Sequence, residues 1–212
     1  SIRYAWKEAG VLVEQLRILE NSHGKWQVLL QGRTRGSKCI SVREMARLIS
    51  GVSGRGFAPA KDSKALLGAE SQSLIFCENC RLTAGYGVAR AVREDEQVSG
   101  DNFSFQMLDN GCCVMAVSDG MGSGYAACKE SEMVIDLIEK FMEAGFLPDT
   151  ALRMMNSAMV THGEHNLFST VDLMRLDLDS GEAAFYKIGA ATTFIRHGRE
   201  VRMVTQKSMP VG

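Results

Sequence analysis

Residues 73–212 show a regular succession of apolar patterns that predicts most of the fold. Met174, Leu176 and Leu178 alternate with polar residues, as in a strand with one buried face. Apolar residues at helical spacing predict two consecutive helices, over about 126–144 and from Pro148 onward. Further strands are predicted at 82–92, 103–108, 112–118, 182–188, 192–196 and 200–204. Strands in hairpins around a helical pair predict an α+β fold with antiparallel sheets.

The first 72 residues predict a separate and smaller α+β unit. The first element is a helix with one apolar face, formed by Ala9, Leu12, Val13, Leu16 and Leu19. A strand over 26–30 follows, and then a helix from Ser41 with Met45, Leu48 and Ile49 on one side. A loop over 52–69 ends the unit. Large apolar side chains are few, so we expect this unit to dock on another surface or to self-associate. The sequence therefore predicts two domains, 1–72 and 73–212.

Composition excludes some classes of function. The chain has 212 residues, of which 45% are hydrophobic and 23% charged, which is ordinary for a globular protein. Its net charge is −1 and it has no long basic run, so nucleic acid is not favoured as a partner. No apolar stretch is long enough to cross a membrane. Because the chain starts at Ser1 and not at Met, we expect a piece of a longer protein.

The six cysteines indicate a reducing compartment more than a disulfide framework. The spacing of Cys77 and Cys80 is that of a zinc or redox motif, and such a protein is one alternative. A zinc site needs a second ligand pair, and a redox motif should open a helix. The sequence instead predicts a turn between two strands at these cysteines.

Two acidic motifs carry the candidate chemistry. The first is Ser99-Gly100-Asp101-Asn102, and the second, Asp119-Gly120-Met121-Gly122-Ser123-Gly124, follows the apolar run 114–118. An aspartate that ends a buried strand presents its carboxylate at a sheet edge, where glycine lets the backbone approach closely. Carboxylate oxygens suit hard divalent cations. The pair therefore predicts metal-assisted chemistry on an oxygen-rich, phosphorylated substrate.

These motifs, taken in order, resemble the stage II sporulation protein E family of metal-dependent, PP2C-type protein phosphatases. The resemblance runs from about Tyr86 to Gly212 and includes Ser169-Thr170-Val171-Asp172-Leu173 and Lys187-Ile188-Gly189-Ala190-Ala191-Thr192. It implies a PP2C-like antiparallel β-sandwich faced by a helical pair and incomplete at the C-terminus. A small α+β regulatory unit would precede it.

The resemblance also implies a reaction and a site. Family members hydrolyse phosphoserine or phosphothreonine with two Mn²⁺ or Mg²⁺ ions and a bridging water. Asp119 would bridge the two metals, Asp101 would bind one of them, and the backbone carbonyl of Gly120 would supply a further ligand. This carbonyl role would also explain why position 120 carries no side chain.

The implied partner is a phosphorylated anti-anti-sigma factor, whose dephosphorylation would release a sporulation sigma factor. The implied location is the cytoplasmic side of the cell membrane, with the membrane reached only through segments outside this chain. The family pattern continues beyond Gly212 with a further metal-binding aspartate. We therefore expect this chain to bind Mn²⁺ weakly and to have little activity by itself. A non-catalytic interaction module on the same fold is the other alternative.

Other polar residues are expected to lie outside the site. Asp172 lies in a predicted strand and is read as a polar or edge residue. His162 and His165 lack acidic or thiol companions, so we expect them to be exposed. Arg90 and Arg93 could hold a substrate phosphate bidentately, although solvated strand-edge arginines are the simpler interpretation.

Overall fold

A computed structural model of the chain describes residues 1–20, 24–92, 97–108, 110–122, 124–162, 169–206 and 210. The chain forms two compact units, Ser1–Cys80 and Arg81–Gly212, each with its own hydrophobic core. The boundary thus lies after Cys80 and not near residue 72. The reason is that the strand Gln72–Glu78 pairs antiparallel with Trp26–Thr34 and so belongs to the first unit.

The first unit packs two helices with a four-stranded antiparallel sheet. Its elements are α1 (Ile2–Glu8), β1 (Val11–Glu20), β2 (Trp26–Thr34), β3 (Ile40–Ser41), α2 (Val42–Ser53), β4 (Phe57–Pro59), β5 (Leu66–Leu67) and β6 (Gln72–Glu78). The sheet order is β1-β2-β6-β4, and β3 pairs with β5 separately. Trp6 lies at the centre of the core, where its ring is 5.5 Å from that of Phe76 and its indole N–H donates to the Met45 carbonyl. This core is larger than the sequence suggested.

The helix predicted around residues 9–19 is wrong, because this segment is strand β1. A register shift between Val13 and Gln15 interrupts the pairing of β1 with β2. The irregularity changes the phase of the alternation between the two faces of the strand. Val13 and Leu16, which are three residues apart in the sequence, therefore both pack against the core of the first unit. That spacing imitates a helix in the sequence.

The remaining predictions for the first unit are mostly confirmed. Helix α2 begins directly after Ser41 and buries Met45 and Ile49, while the strand predicted from Trp26 extends to Thr34. The segment 52–69 is not all loop, because the short strands β4 and β5 lie within it. Strands of two or three residues give too little alternation to be predicted from sequence.

The second unit is a four-stranded antiparallel sheet with a helical pair. Its elements are β7 (Asp101–Met107), β8 (Cys112–Asp119), α3 (Gly124–Glu143), α4 (Pro148–His162), β9 (Val171–Asp177), β10 (Ala183–Ile188), β11 (Thr193–His197) and β12 (Glu200–Val204). The sheet order is β10-β9-β8-β7, and β11 pairs with β12 alone. The predicted α+β class with antiparallel sheets is confirmed.

Helices α3 and α4 share one core with the sheet. Val114 and Ala116 of β8 and Leu173 of β9 meet apolar residues of both helices there, among them Ile138 and Met155. Side chains alternate between the two faces of a strand. The odd-numbered residues of β8, including Asp119, therefore lie on the face opposite the helices.

The strand predicted over residues 82–92 is wrong. This segment has no strand assignment. It is held at separate points: the Leu82 amide donates to the Leu178 carbonyl, and Tyr86 stacks on Phe105 with ring centroids 4.3 Å apart. Gly85 and Gly87 interrupt its apolar pattern, and glycine weakens a strand.

Two further expectations concern turns and membranes. The predicted turn between β7 and β8 includes Asp109, which lies outside the described residues, whereas Gly111 of that turn has a positive φ of 80°. Among the helices that the structure describes, none combines the length and the apolar character needed to span a bilayer.

Candidate metal centre

Asp101 and Asp119 face each other across the ladder between β7 and β8. Asp101 is the first residue of β7, Asp119 is the last of β8, and their Cα atoms are direct register partners. Both residues are exposed. Like charges placed directly opposite each other destabilise a strand pair, and a cation between them would remove that cost. The structure therefore brings together the two carboxylates that the sequence singled out.

Gly120 follows the last residue of β8 and packs closely against the backbone of helix α3. A Cβ atom added there would lie 2.1 Å from the carbonyl oxygen of Ala127 and 2.7 Å from its carbonyl carbon. The backbone of α3 thus passes directly against Gly120, and no side chain fits between them. This contact is sufficient reason for a glycine at position 120, independent of any role of its carbonyl as a ligand.

The Gly120 carbonyl oxygen nevertheless lies near Gly100, as does the Asp119 carboxylate. A Cβ atom added to Gly100 would lie 3.3 Å from the Gly120 carbonyl oxygen and 3.9 Å from Asp119 Oδ1. Both oxygens therefore border the same small space beside Gly100. The Gly120 amide donates to the Gly100 carbonyl at 3.2 Å, which fixes this approach of the two strand ends.

Two hydroxyl side chains orient the aspartates. Ser99 Oγ accepts a hydrogen bond from the Asp101 amide at 3.2 Å and donates to Asp101 Oδ2 at 3.1 Å. Thr170 Oγ1 accepts from the Asp119 amide at 3.1 Å, and the Thr170 amide donates to the Asp119 carbonyl at 2.9 Å. Sequence reasoning did not assign these roles. The spacing of Ser99 and Asp101 is a local signal for such a turn, whereas Thr170 comes from a distant segment.

The acidic pair opens into a cleft of about 370 Å³. Most of its lining residues are glycine or have small side chains: Ala91, Val98, Ser99, Gly100, Asp101, Asp119, Gly120, Met121, Gly122 and Gly124. Such a lining leaves room for ordered water and for a phosphate group next to the carboxylates.

The donor set fits a hard divalent cation. It consists of two carboxylates and one backbone carbonyl, which are the oxygen ligands that Mg²⁺ and Mn²⁺ prefer. Within the described parts of the chain, no three His, Cys, Asp or Glu side chains come together as a metal-binding group. A cation at Asp101, Asp119 and Gly120 would therefore keep several water ligands, as Mg²⁺ commonly does.

The other candidates from the sequence have different environments. Arg90 donates to the Asp101 carbonyl and, at 3.1 Å, to Asn102 Oδ1, so its guanidinium braces β7. Asp172 Oδ2 accepts hydrogen bonds from Lys187 Nζ and Thr193 Oγ1, each at 2.5 Å, consistent with a structural role. Arg93, His165 and the side chain of His162 lie outside what the structure describes.

The cysteines are thiols in the structure. Cys77 lies in strand β6 and not at the start of a helix, as a thioredoxin-type motif would require. Cys112 and Cys113 are fully buried in β8, and burial together with the neighbouring Cys112 raises the pKa of the Cys113 thiol. A raised pKa makes a thiol less reactive.

Sequence reasoning also missed a buried acid on α3. Glu130 is 7% exposed, and its Oε2 atom has no hydrogen-bond partner among the described residues. Burial raises the pKa of this carboxyl group. The helical pattern did not reveal it, because a glutamate in a helix is ordinarily solvated.

Comparison with known proteins identifies relatives of this chain. Residues 109–212 match the family described as Stage II sporulation protein E (SpoIIE). The chain is 34% identical over 126 residues to Stage II sporulation protein E of Priestia megaterium and 35% identical over 126 residues to that of Bacillus subtilis strain 168. Each match covers 59% of this chain, but only 22% and 15% of the respective relative.

Solved structures extend the likeness to the fold. The PP2C phosphatase domain of SpoIIE from Bacillus subtilis, with a fragment of its regulatory domain, aligns with a TM-score of 0.65 and 25% identity. That alignment covers 99% of this chain and 61% of the other. The RsbU and RsbW domains of a Mycobacterium tuberculosis protein align with a TM-score of 0.50 and 22% identity, over 57% of this chain and 34% of theirs, and they show the fold alone. The resemblance to the stage II sporulation protein E family that the sequence motifs indicated is thus confirmed by the family match, by sequence identity and by fold.

Proposed function

We propose that the protein is a metal-dependent protein serine/threonine phosphatase of the PP2C type. The observation that carries the proposal is the direct opposition of Asp101 and Asp119, with the Gly120 carbonyl beside them in an open cleft. A phosphate monoester is negatively charged and repels nucleophiles, so its hydrolysis needs positive charge at the reacting group. A site made of carboxylates can supply that charge only through bound cations.

In this proposal the chain holds two Mn²⁺ or Mg²⁺ ions and positions their ligands. When bound, the ions would offset the charge of the phosphate and lower the pKa of a bound water. Asp119 and Asp101 bind through their carboxylates and Gly120 through its carbonyl. Ser99 Oγ donates a hydrogen bond to Asp101 Oδ2, which leaves Oδ1 for a cation. Three oxygen ligands leave most of a cation's coordination sphere to water, so we expect weak binding.

The substrate and setting follow from the resemblance. We infer a phosphorylated anti-anti-sigma factor as substrate, with release of a sporulation sigma factor as the result. The parent protein acts at the cytoplasmic side of the cell membrane. The unit Ser1–Cys80 serves as a regulatory or self-association element. Its support is the alignment over 99% of this chain with a phosphatase domain that carries a fragment of a regulatory domain.

A phosphate-release assay on the full-length protein tests the proposal. A phosphoserine protein is the substrate, and Asp119→Asn is compared with Asp136→Asn, which changes an exposed acid of α3 outside the site. We expect release to need Mn²⁺ or Mg²⁺, to disappear in D119N and to persist in D136N. A folded wild-type protein without activity would favour the non-catalytic interaction module instead.

A further inference from the structure

Asn102 links the metal centre to helix α3 through both ends of its side-chain amide. Its Nδ2 atom donates to Ser131 Oγ at 2.8 Å and to the Cys128 carbonyl at 3.0 Å, both on α3. Its Oδ1 atom accepts from the Arg90 guanidinium at 3.1 Å. Asn102 therefore joins three segments directly beside Asp101.

Ser131 completes the link. Its side chain is fully buried on α3, and its hydroxyl donates to the Gly100 carbonyl at 2.5 Å while accepting from Asn102. The same Gly100 carbonyl accepts the Gly120 amide at 3.2 Å. Through this one oxygen, Ser131 acts on both strand ends that carry the candidate ligands.

Because the backbone of α3 contacts Gly120, the position of this helix affects the geometry of the candidate ligands. Ala127 lies one turn before Ser131 and packs against both Gly100 and Gly120. Any displacement of α3 on the sheet would change the space bordered by the Gly120 carbonyl and Asp119 Oδ1. A buried hydrogen bond to a backbone carbonyl is a directional restraint that apolar packing does not provide.

We propose that Asn102 and Ser131 are positioning residues that fix α3 on β7 and thereby set the geometry of the metal ligands. This inference rests on the proposed metal site at Asp101 and Asp119. Residues of this kind, which orient ligands without contacting the ion, commonly change metal affinity by about 10–100-fold when they are removed.

The structure offers a matched control on the same strand and helix. Ser104 of β7 is also buried and donates to Glu139 Oε1 of α3, but it lies farther along both elements. Ser104→Ala therefore removes one bond between β7 and α3 without touching Asn102, Ser131 or Gly100. A merely structural role predicts the same behaviour for Ser131→Ala and Ser104→Ala.

Two measurements on the 212-residue chain test the inference. The first is the Kd for Mn²⁺, obtained from the electron paramagnetic resonance signal of the free ion. We expect S131A and N102A to raise the Kd by about 10-fold or more, and S104A to leave it unchanged. The second is amide hydrogen exchange without metal, in which the Gly120 amide should exchange faster in S131A than in S104A.

The outcomes separate this inference from the proposed function. Wild-type affinity in S131A and N102A, with affinity lost in D119N, would overturn the positioning role alone. Equal Mn²⁺ binding by wild type and D119N would overturn the metal site and, with it, this inference. Equal Gly120 exchange in S131A and S104A would also overturn the positioning role.

Discussion

At the scale of single residues, Gly120 illustrates how packing and chemistry meet at one position. The sequence suggested a glycine that exposes its carbonyl to a metal, and the structure adds that α3 leaves no room for a Cβ atom. The sequence could single out Asp101, Asp119 and Gly120 as candidates, because each lies in a short local motif. It could not find Thr170, Asn102 or Ser131 as their partners, because those contacts join distant segments.

Gly120→Ala should destabilise the second unit. Its Cβ would lie 2.1 Å from the Ala127 carbonyl oxygen, so α3 must shift, at a cost of about 1–3 kcal/mol. The control is Gly51→Ala in helix α2, where an added Cβ meets no atom within 4 Å. That change should stabilise by about 0.5–1 kcal/mol. Thermal unfolding measures the change in stability of each variant. A G120A protein as stable as the wild type would contradict the close contact between Gly120 and Ala127.

Glu130→Gln should make the protein more stable at neutral pH, because it removes a buried charge. The pKa of Glu130 is raised by burial above the ordinary 4.5, so the folded protein loses stability as the pH rises through the folded value. A glutamine side chain is uncharged, so its burial does not carry the free-energy cost of burying a carboxylate. The gain should therefore shrink as the pH falls toward 4.5. Chemical denaturation at several pH values measures the difference in stability between E130Q and the wild type. An E130Q protein that is less stable than the wild type at pH 7 would contradict the predicted effect of burial.

At the scale of elements, the helices and strands that could be predicted are those whose apolar residues recur at a regular spacing. The alternation of Met174 and Leu176 predicted strand β9, although its fully buried residues are Val171 and Leu173, and regular helical spacing predicted α3. Strand β1 was mistaken for a helix because one irregularity in its pairing changes the phase of its apolar residues. A periodic signal cannot reveal such a change, since it depends on the partner strand.

The β9–β10 hairpin provides a prediction at this scale. Asp177 Oδ1 accepts the amides of Ser180 at 2.9 Å and Asp179 at 2.8 Å, and these bonds lower the pKa of Asp177 below 3.8. Asp177→Ala should therefore cost about 0.5–1.5 kcal/mol at pH 7. The difference should persist above pH 3.8 and be lost as the pH falls through the lower folded pKa. Glu182→Ala, an exposed change in the same hairpin, is the control for unfolding measurements, and a D177A protein as stable as E182A would contradict this role.

At the scale of the whole molecule, the division into two units was predictable but its position was not. Residues 73–78 were assigned to the second unit because they follow a segment that was predicted to be a loop. Their strand pairing shows that they complete the first sheet instead. Long-range pairing of this kind depends on tertiary contacts that no local window contains. The α+β class and the antiparallel sheet were predictable because hairpins are local.

The proposed metal centre of the second unit depends on the carboxylates of Asp101 and Asp119. A Mn²⁺ titration of this chain and of D101N, D119N and the control D136N measures that dependence. We expect weak binding by wild type and D136N, and a Kd at least about tenfold higher, or ~1.4 kcal/mol, in D101N and D119N. Equal affinity in all four folded proteins would contradict it.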